Sequence, residues 1–309
     1  MPVLNLYSYD IFVVFGGSST EYAYNTEFSG WAAMLANKYI RRIDVLNRGF
    51  CGYNSRWAKT IFLNMFPKTK NNSFRTNQIT NGIHEMNGDS SVGKSACERK
   101  LMEHLKTNRP AQVKLIIIFL GVNDAVLEQC SSHVPLGEFH QNLLSMIDHL
   151  ADPNSEYYSP ETKFVLITPP PVCEPAWRVT AEKRKLSSVR CEKKSKLYAE
   201  EVIKVGKKRN IPVVDVFTRI KTEINEIQAK QAEINVLTNG TTSTGSKMVE
   251  DNLRWFGYDQ FFYDGLHFNA NGSKIMFEML YDTIITNYPD LAPKKLPIYF
   301  PLAAEIQHS

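Results

Sequence analysis

The feature that most constrains this chain is an alternation of brief, mainly apolar runs with longer amphipathic stretches. The runs are Ile11–Phe15 (IFVVF), Ile43–Leu46 (IDVL), Leu115–Leu120 (LIIIFL), Phe164–Thr168 (FVLIT) and Pro212–Val216 (PVVDV). Each is short and rich in β-branched or aromatic residues, as strands buried on both faces are. Helical spacing recurs over about Thr26–Arg41, Arg56–Met65, Leu136–Leu150, Ser187–Arg209 and Ala270–Asn287. Strands alternating with helices predict an α/β chain. Its expected form is a three-layer α/β/α, flavodoxin-like fold: a mostly parallel five-stranded sheet with helices on both faces. Ligands bind such sheets outside the carboxyl ends of the strands. Chemistry is therefore expected just after Phe15, Leu46, Leu120 and Thr168.

The 309 residues suit one large α/β domain spanning 1–309, since single α/β domains often exceed the usual range of roughly 100–200 residues. Two polar stretches break the rhythm and read as insertions, at about 68–109 and 222–248. The charged run Lys221–Glu233, before the polar residues Asn235–Met248, can extend as an exposed helix.

Composition narrows the partners. The net charge of +4 is only mildly basic. The Lys/Arg-rich stretch from Glu182 to Lys208 alternates with apolar residues and reads as a solvated helix face. No nucleic-acid partner is expected. The longest apolar runs fall far short of the roughly 20 residues of a membrane helix, and the first residues lack the pattern of an export signal. Five cysteines without a C-x-x-C pair fit reduced thiols. The expectation is a cytoplasmic protein without a membrane span; its oligomeric state is not legible.

Short segments at the predicted strand ends, and one near the C-terminus, carry chemistry. Gly16-Gly17-Ser18-Ser19 follows the first strand, and a serine there sits on a tight turn with N–H groups able to face an oxyanion. Gly49-Phe50-Cys51-Gly52 follows the second, where glycine lets backbone approach a ligand. Gly121-Val122-Asn123-Asp124 follows the third, and an asparagine amide there is a possible oxyanion donor. In Asp264-Gly265-Leu266-His267, a carboxylate three residues before a histidine can hold its Nδ1–H and free Nε2 to take a proton from serine. Alone, each segment is also an ordinary turn, cap or loop. The remaining histidines, His84, His104, His133, His140, His149 and His308, read as surface or structural.

In this order, FGGSSTEYAYNT, VLNRGFCGYNSRWA, IFLGVNDA and YDGLHFNANGSKI resemble the blocks of the SGNH (GDSL-type) hydrolase superfamily. Their wording is more similar still to the isoamyl acetate-hydrolysing esterase group. The resemblance implies hydrolysis of short-chain carboxylic esters, acetate esters foremost, with no cofactor and no metal. It implies Ser18 as nucleophile, His267 as general base and Asp264 as its orienter. The implied oxyanion hole is the Ser18 N–H, the Gly52 N–H and the Asn123 amide. Phe50, Val122, Phe262 and Leu266 are candidates for binding the apolar part of a small ester substrate, and equally candidates for core packing.

One residue departs from the family. Its first block normally reads Gly-Asp-Ser, whereas here Gly17 stands before Ser18. An alternative reading is therefore a weakened or silent relative that keeps the fold and binds ligand. Gly-Asp-Ser does occur at Gly88-Asp89-Ser90, but no apolar strand precedes it. The same segment, Gly88–Ser95, matches G-x-x-x-x-G-K-S, a phosphate-binding loop only when it links a buried strand to a helix. Nucleotide binding is the remote alternative.

Overall fold

In the computed structural model the described residues are 9–66, 68, 111–238, 255–298 and 303. Strand β1 (Asp10–Gly16) leads into a single helical turn, α1 (Ser18–Glu21), then α2 (Trp31–Lys38) and β2 (Ile43–Gly49). Helix α3 (Ser55–Asn64) follows, and the described chain resumes with β3 (Val113–Phe119), α4 (Leu136–Ala151) and β4 (Lys163–Ile167). Then come α5 (Glu174–Lys183), α6 (Glu192–Arg209), β5 (Val213–Val214), α7 (Val216–Thr238) and α8 (Ala270–Asn287). The strands form one sheet of order β2-β1-β3-β4-β5, parallel at every pairing.

Alternation along each strand divides the core into two halves, because successive side chains leave a strand on opposite faces. Phe12, Val14, Leu115, Ile117 and Phe119 pack with Trp31 and Leu35 of α2 and with Met276, Leu280 and Ile284 of α8. Val13, Phe15, Ile116 and Ile118 pack on the other face with Phe62 of α3, Leu143 and Ile147 of α4, and Val202 of α6. Burying each large apolar side chain stabilises the fold by about 1.5–3 kcal/mol, which is why near-continuous apolar runs become central strands. The expected three-layer architecture is present.

The chain leaves β1 towards β2 on one side and returns to β3 on the other. The strand order therefore reverses at β1, and a crevice opens above its carboxyl end. In register, Gly16 lies opposite Gly49 on one side and Phe119 on the other. The segments after β1, β2 and β3 thus start from one edge.

Boundaries differ from the sequence reading where backbone geometry intervenes. Helix α2 starts at Trp31 rather than Thr26, behind Ser29 at φ +48°. Helix α6 starts at Glu192 rather than Ser187, because Val189 and Arg190 are extended and bond to the loop after β3. Helix α5 was not anticipated: it buries only Trp177 and Ala181, too sparse a stripe to show as periodicity. The helix expected over Lys221–Glu233 is present and longer, running without a break from Val216 to Thr238. Residues 239–248, nearly all of 68–109, and with them Gly88–Ser95, lie outside the described residues. None of the described helices is long and apolar enough to cross a membrane.

Candidate active site

The turn after β1 is built on glycine. A Cβ on Gly16 would sit 2.2 Å from the Phe119 carbonyl oxygen and 2.4 Å from Thr20 Oγ1, so a side chain there would wedge β1 from β3. Gly17 precedes α1, and its carbonyl accepts from Thr20 N (3.1 Å) and Glu21 N (2.9 Å). Ser18 is the first residue of that turn and is 5% exposed. The first N–H groups of a helix have no partner within it.

His267 arrives from the opposite end of the chain. Its Nε2 lies 2.9 Å from Ser18 Oγ, and its Nδ1 lies 2.7 Å from Asp264 Oδ2. The other Asp264 oxygen accepts from the backbone N–H of His267 (2.8 Å) and of Leu266 (3.1 Å). The histidine and its carboxylate therefore belong to one self-bonded turn. Gly265 makes that turn possible at φ +88°, and its absent Cβ leaves room for Ala176 and Trp177 of α5. Cys173 N donates to Gly265 O (2.9 Å), so α5 braces the turn from below. Burial alone would push the Asp264 carboxyl up. The His267 ring and the two backbone donors outweigh that influence and hold it below the usual carboxylate range. Three rings surround the imidazole: Tyr22 edge-on at 5.3 Å, Trp177 edge-on at 5.9 Å, and Tyr263 stacked at 5.8 Å.

Asn123 enters from the loop after β3. Its Nδ2 donates to Tyr53 O (2.9 Å) and lies 3.2 Å from the place a Cβ on Gly17 would occupy. Its amide thus flanks the residue before Ser18. Gly17, Ser18, Tyr53, Gly121, Val122 and Asn123 share the lining of one cleft. Gly52 sits at φ +80° in the exposed turn after β2. That turn is tied to the others through Phe50 N to Gly16 O (2.8 Å) and Cys51 N to Glu21 Oε2 (2.6 Å).

The structure brings Ser18, Asp264, His267, Asn123 and Gly52 to the carboxyl edge of the sheet. The apolar candidates separate. Val122 lines the cleft beside Ser18. Phe50 is partly buried, edge-on to Phe15 at 6.1 Å. Phe262 (1% exposed) and Leu266 (2%) pack in the core and line neither cleft at the triad, in keeping with the core-packing alternative. Among the histidines read as structural, His140 does have a carboxylate partner, Glu201 at 2.7 Å, between α4 and α6. Larger grooves exist elsewhere, including one of about 420 Å³ between α6 and α7, but no comparable set of reactive groups converges on it. Among the described residues no group of three or more His, Cys, Asp or Glu is placed to hold a metal ion.

Sequence reasoning missed Arg190. Its Nη2 donates to Asn123 Oδ1 (2.8 Å), its Nη1 donates to Val122 O, and its guanidinium lies 4.9 Å from the Trp177 ring centroid. Burial lowers its pKa to about 10, against the pull of Asp264, so it remains cationic at neutral pH. The only sequence signal was a lone arginine inside a stretch whose neighbours are solvated. The aromatic residues Tyr22 and Tyr263 were missed for the same reason: nothing in their spacing marks them.

Against known protein families, residues 14–275 match the GDSL-like lipase/acylhydrolase family. The chain belongs to that family. As a GDSL-like acylhydrolase it is a carboxylic ester hydrolase. It is 30% identical over 288 residues to an isoamyl acetate-hydrolyzing esterase 1 homolog of Bos taurus, covering 91% of this chain and 85% of that protein. The homolog of Homo sapiens is 28% identical over 291 residues, with the same coverage. A GDSL esterase/lipase of Oryza sativa subsp. japonica, WDL1, is 26% identical over 271 residues, covering 87% of this chain and 75% of that one.

Proposed function

We propose that this GDSL-like acylhydrolase cleaves short-chain carboxylic esters, acetate esters foremost, through an acyl-enzyme on Ser18. The observation that carries the reading is the unbroken relay from Ser18 Oγ through His267 to Asp264, at 2.9 and 2.7 Å. Ser18 Oγ attacks the ester carbonyl carbon while His267 Nε2 takes its proton. The carbonyl oxygen becomes an oxyanion that accepts hydrogen bonds from the Ser18 N–H, the Gly52 N–H and the Asn123 amide. His267 returns the proton to the leaving alcohol, leaving an acyl-serine. Water repeats the sequence and releases the carboxylic acid. Asp264 keeps the imidazole in the tautomer that bares Nε2 and stabilises the imidazolium.

The small acyl group is supported by the relatives named as isoamyl acetate-hydrolyzing esterase homologs, and by the narrowness of the cleft flanked by Val122 and Tyr53. The missing side chain at Gly17 favours no silent relative here. The turn that presents Ser18 is held by backbone hydrogen bonds to Gly17 O and needs no carboxylate. The test is a p-nitrophenyl ester series from acetate to octanoate on wild type and Ser18→Ala. Wild type is expected to prefer the shortest esters, and Ser18→Ala to lose activity by at least about 10³-fold. Undiminished hydrolysis by Ser18→Ala overturns the assignment.

A further inference from the structure

We infer that Arg190 is a positioning residue for the oxyanion site, fixing the Asn123 amide with Nδ2 towards Ser18 and setting a positive charge behind it. The inference rests on the esterase reading above and names a residue that reading does not contain.

A side-chain amide has two faces, and only one serves an oxyanion. A guanidinium has five N–H donors and no acceptor. Its contact with Asn123 Oδ1 at 2.8 Å is therefore satisfied only if the carbonyl end faces Arg190. The NH2 end then faces Tyr53 O, which can only accept, at 2.9 Å. A flipped amide would set donor against donor at one end and acceptor against acceptor at the other. The two contacts lock one orientation. The charge also draws electron density towards Oδ1, making Nδ2–H a stronger donor.

Arg190 is itself fixed. One face lies on Trp177, whose Nε1 donates to Ser188 O (2.8 Å). The backbone around Arg190 is bridged to Val126, and Leu127 N donates to Val189 O (3.0 Å). The guanidinium has no such balance of charge. Nε is sealed from solvent without a partner, and among the described residues Arg190 makes no ion pair; the carboxylates Asp264 and Asp124 act on it only through space. A buried charge without a counter-ion costs stability. Without a carboxylate in contact, the charge is left to complement the negative charge that develops in the tetrahedral intermediate, and fixed charges aimed at developing charge are how such sites lower barriers.

The experiment compares Arg190→Met, Arg190→Lys, Asn123→Ala and the Arg190→Met/Asn123→Ala pair, with kcat normalised to sites titrated by a fluorophosphonate probe. Arg190→Met is expected to lower kcat per site by about 10- to 100-fold with KM nearly unchanged. Arg190→Lys should recover part of that loss, since it restores charge without the fork. In the Asn123→Ala background the Arg190→Met change should cost less than about threefold more. If kcat per site is unchanged, or if the two losses multiply, Arg190 does not act through Asn123 and the inference falls. Should Arg190→Met fail to fold, the same cycle run with Arg190→Lys decides on the same criteria. A wild type that the probe does not label at Ser18, or an undiminished Ser18→Ala, sinks the esterase reading instead; an active, labelled wild type with an indifferent Arg190 sinks only this one.

Discussion

Gly17 is the residue at which this chain parts from the Gly-Asp-Ser of its family, and the structure gives the departure a direction. The amide nitrogen of Asn123 stands 3.2 Å from where a Cβ would begin, and it is held at both ends by Tyr53 and Arg190. An aspartate there would press on a clamped donor and place negative charge where negative charge develops in the reaction. Gly17→Asp is therefore expected to lower kcat by about tenfold with the fold intact, read from acetate-ester kinetics beside a thermal melt. A gain in activity would show that the clamp yields. Ser18, Asp264 and His267 were legible because their chemistry demands particular residue types at particular spacings. Arg190 was not, because an arginine turned inward looks in sequence like the solvated lysines around it. Phe262 and Leu266 were readable either way for a related reason: proximity in sequence to His267 places a side chain near the site or behind it, and both pack in the core.

At the level of elements, the tightest constraint is where β1 ends against β3. Gly16→Ala would drive a methyl group into the Phe119 carbonyl and Thr20 Oγ1, contacts of 2.2 and 2.4 Å that cannot persist. Overpacking of this kind costs about 1–3 kcal/mol or more. For a chain of this size the melting temperature should fall by about 2–5 °C, and Ser18 should be displaced with the turn. A calorimetric scan with an activity assay checks both, and an unshifted melt would refute the close approach. The strands were readable because burial on both faces leaves little room for polar residues. Helix α5 was not, since two buried residues in ten leave no periodic stripe. Its value lies in bracing Gly265, a contact between segments far apart in sequence that no local pattern records.

Over the whole molecule, assembly of the site depends on long-range closure: Ser18 and His267 meet across 249 positions of chain. One buried group along that closure makes stability depend on pH. Asp124, fully buried after β3, accepts from Ser55 N (2.8 Å) at the start of α3. Burial, only partly offset by donors from Ser55 and neighbouring backbone, pushes its pKa from 3.8 up to about 6. A carboxyl whose folded pKa is raised favours the fold fully below its unfolded value. That contribution is lost as pH rises from about 3.8 through about 6, a change of roughly 3 kcal/mol. Asp124→Asn retains the acceptor for Ser55 without the charge. Urea melts from pH 4 to 7 should show the variant gaining on wild type as pH rises, with a flat difference refuting the assignment.

The turn Asp264-Gly265-Leu266-His267 has a consequence for design. It contains its own backbone donors, its own left-handed glycine and both members of the histidine–carboxylate pair. Such a unit is close to portable: grafted onto another scaffold with the same backbone, it would need only a brace at Gly265 O to replace α5. The Asn123 amide is the opposite case. Its orientation is written by Tyr53 on one loop and Arg190 on another, so it can be inherited only with the fold.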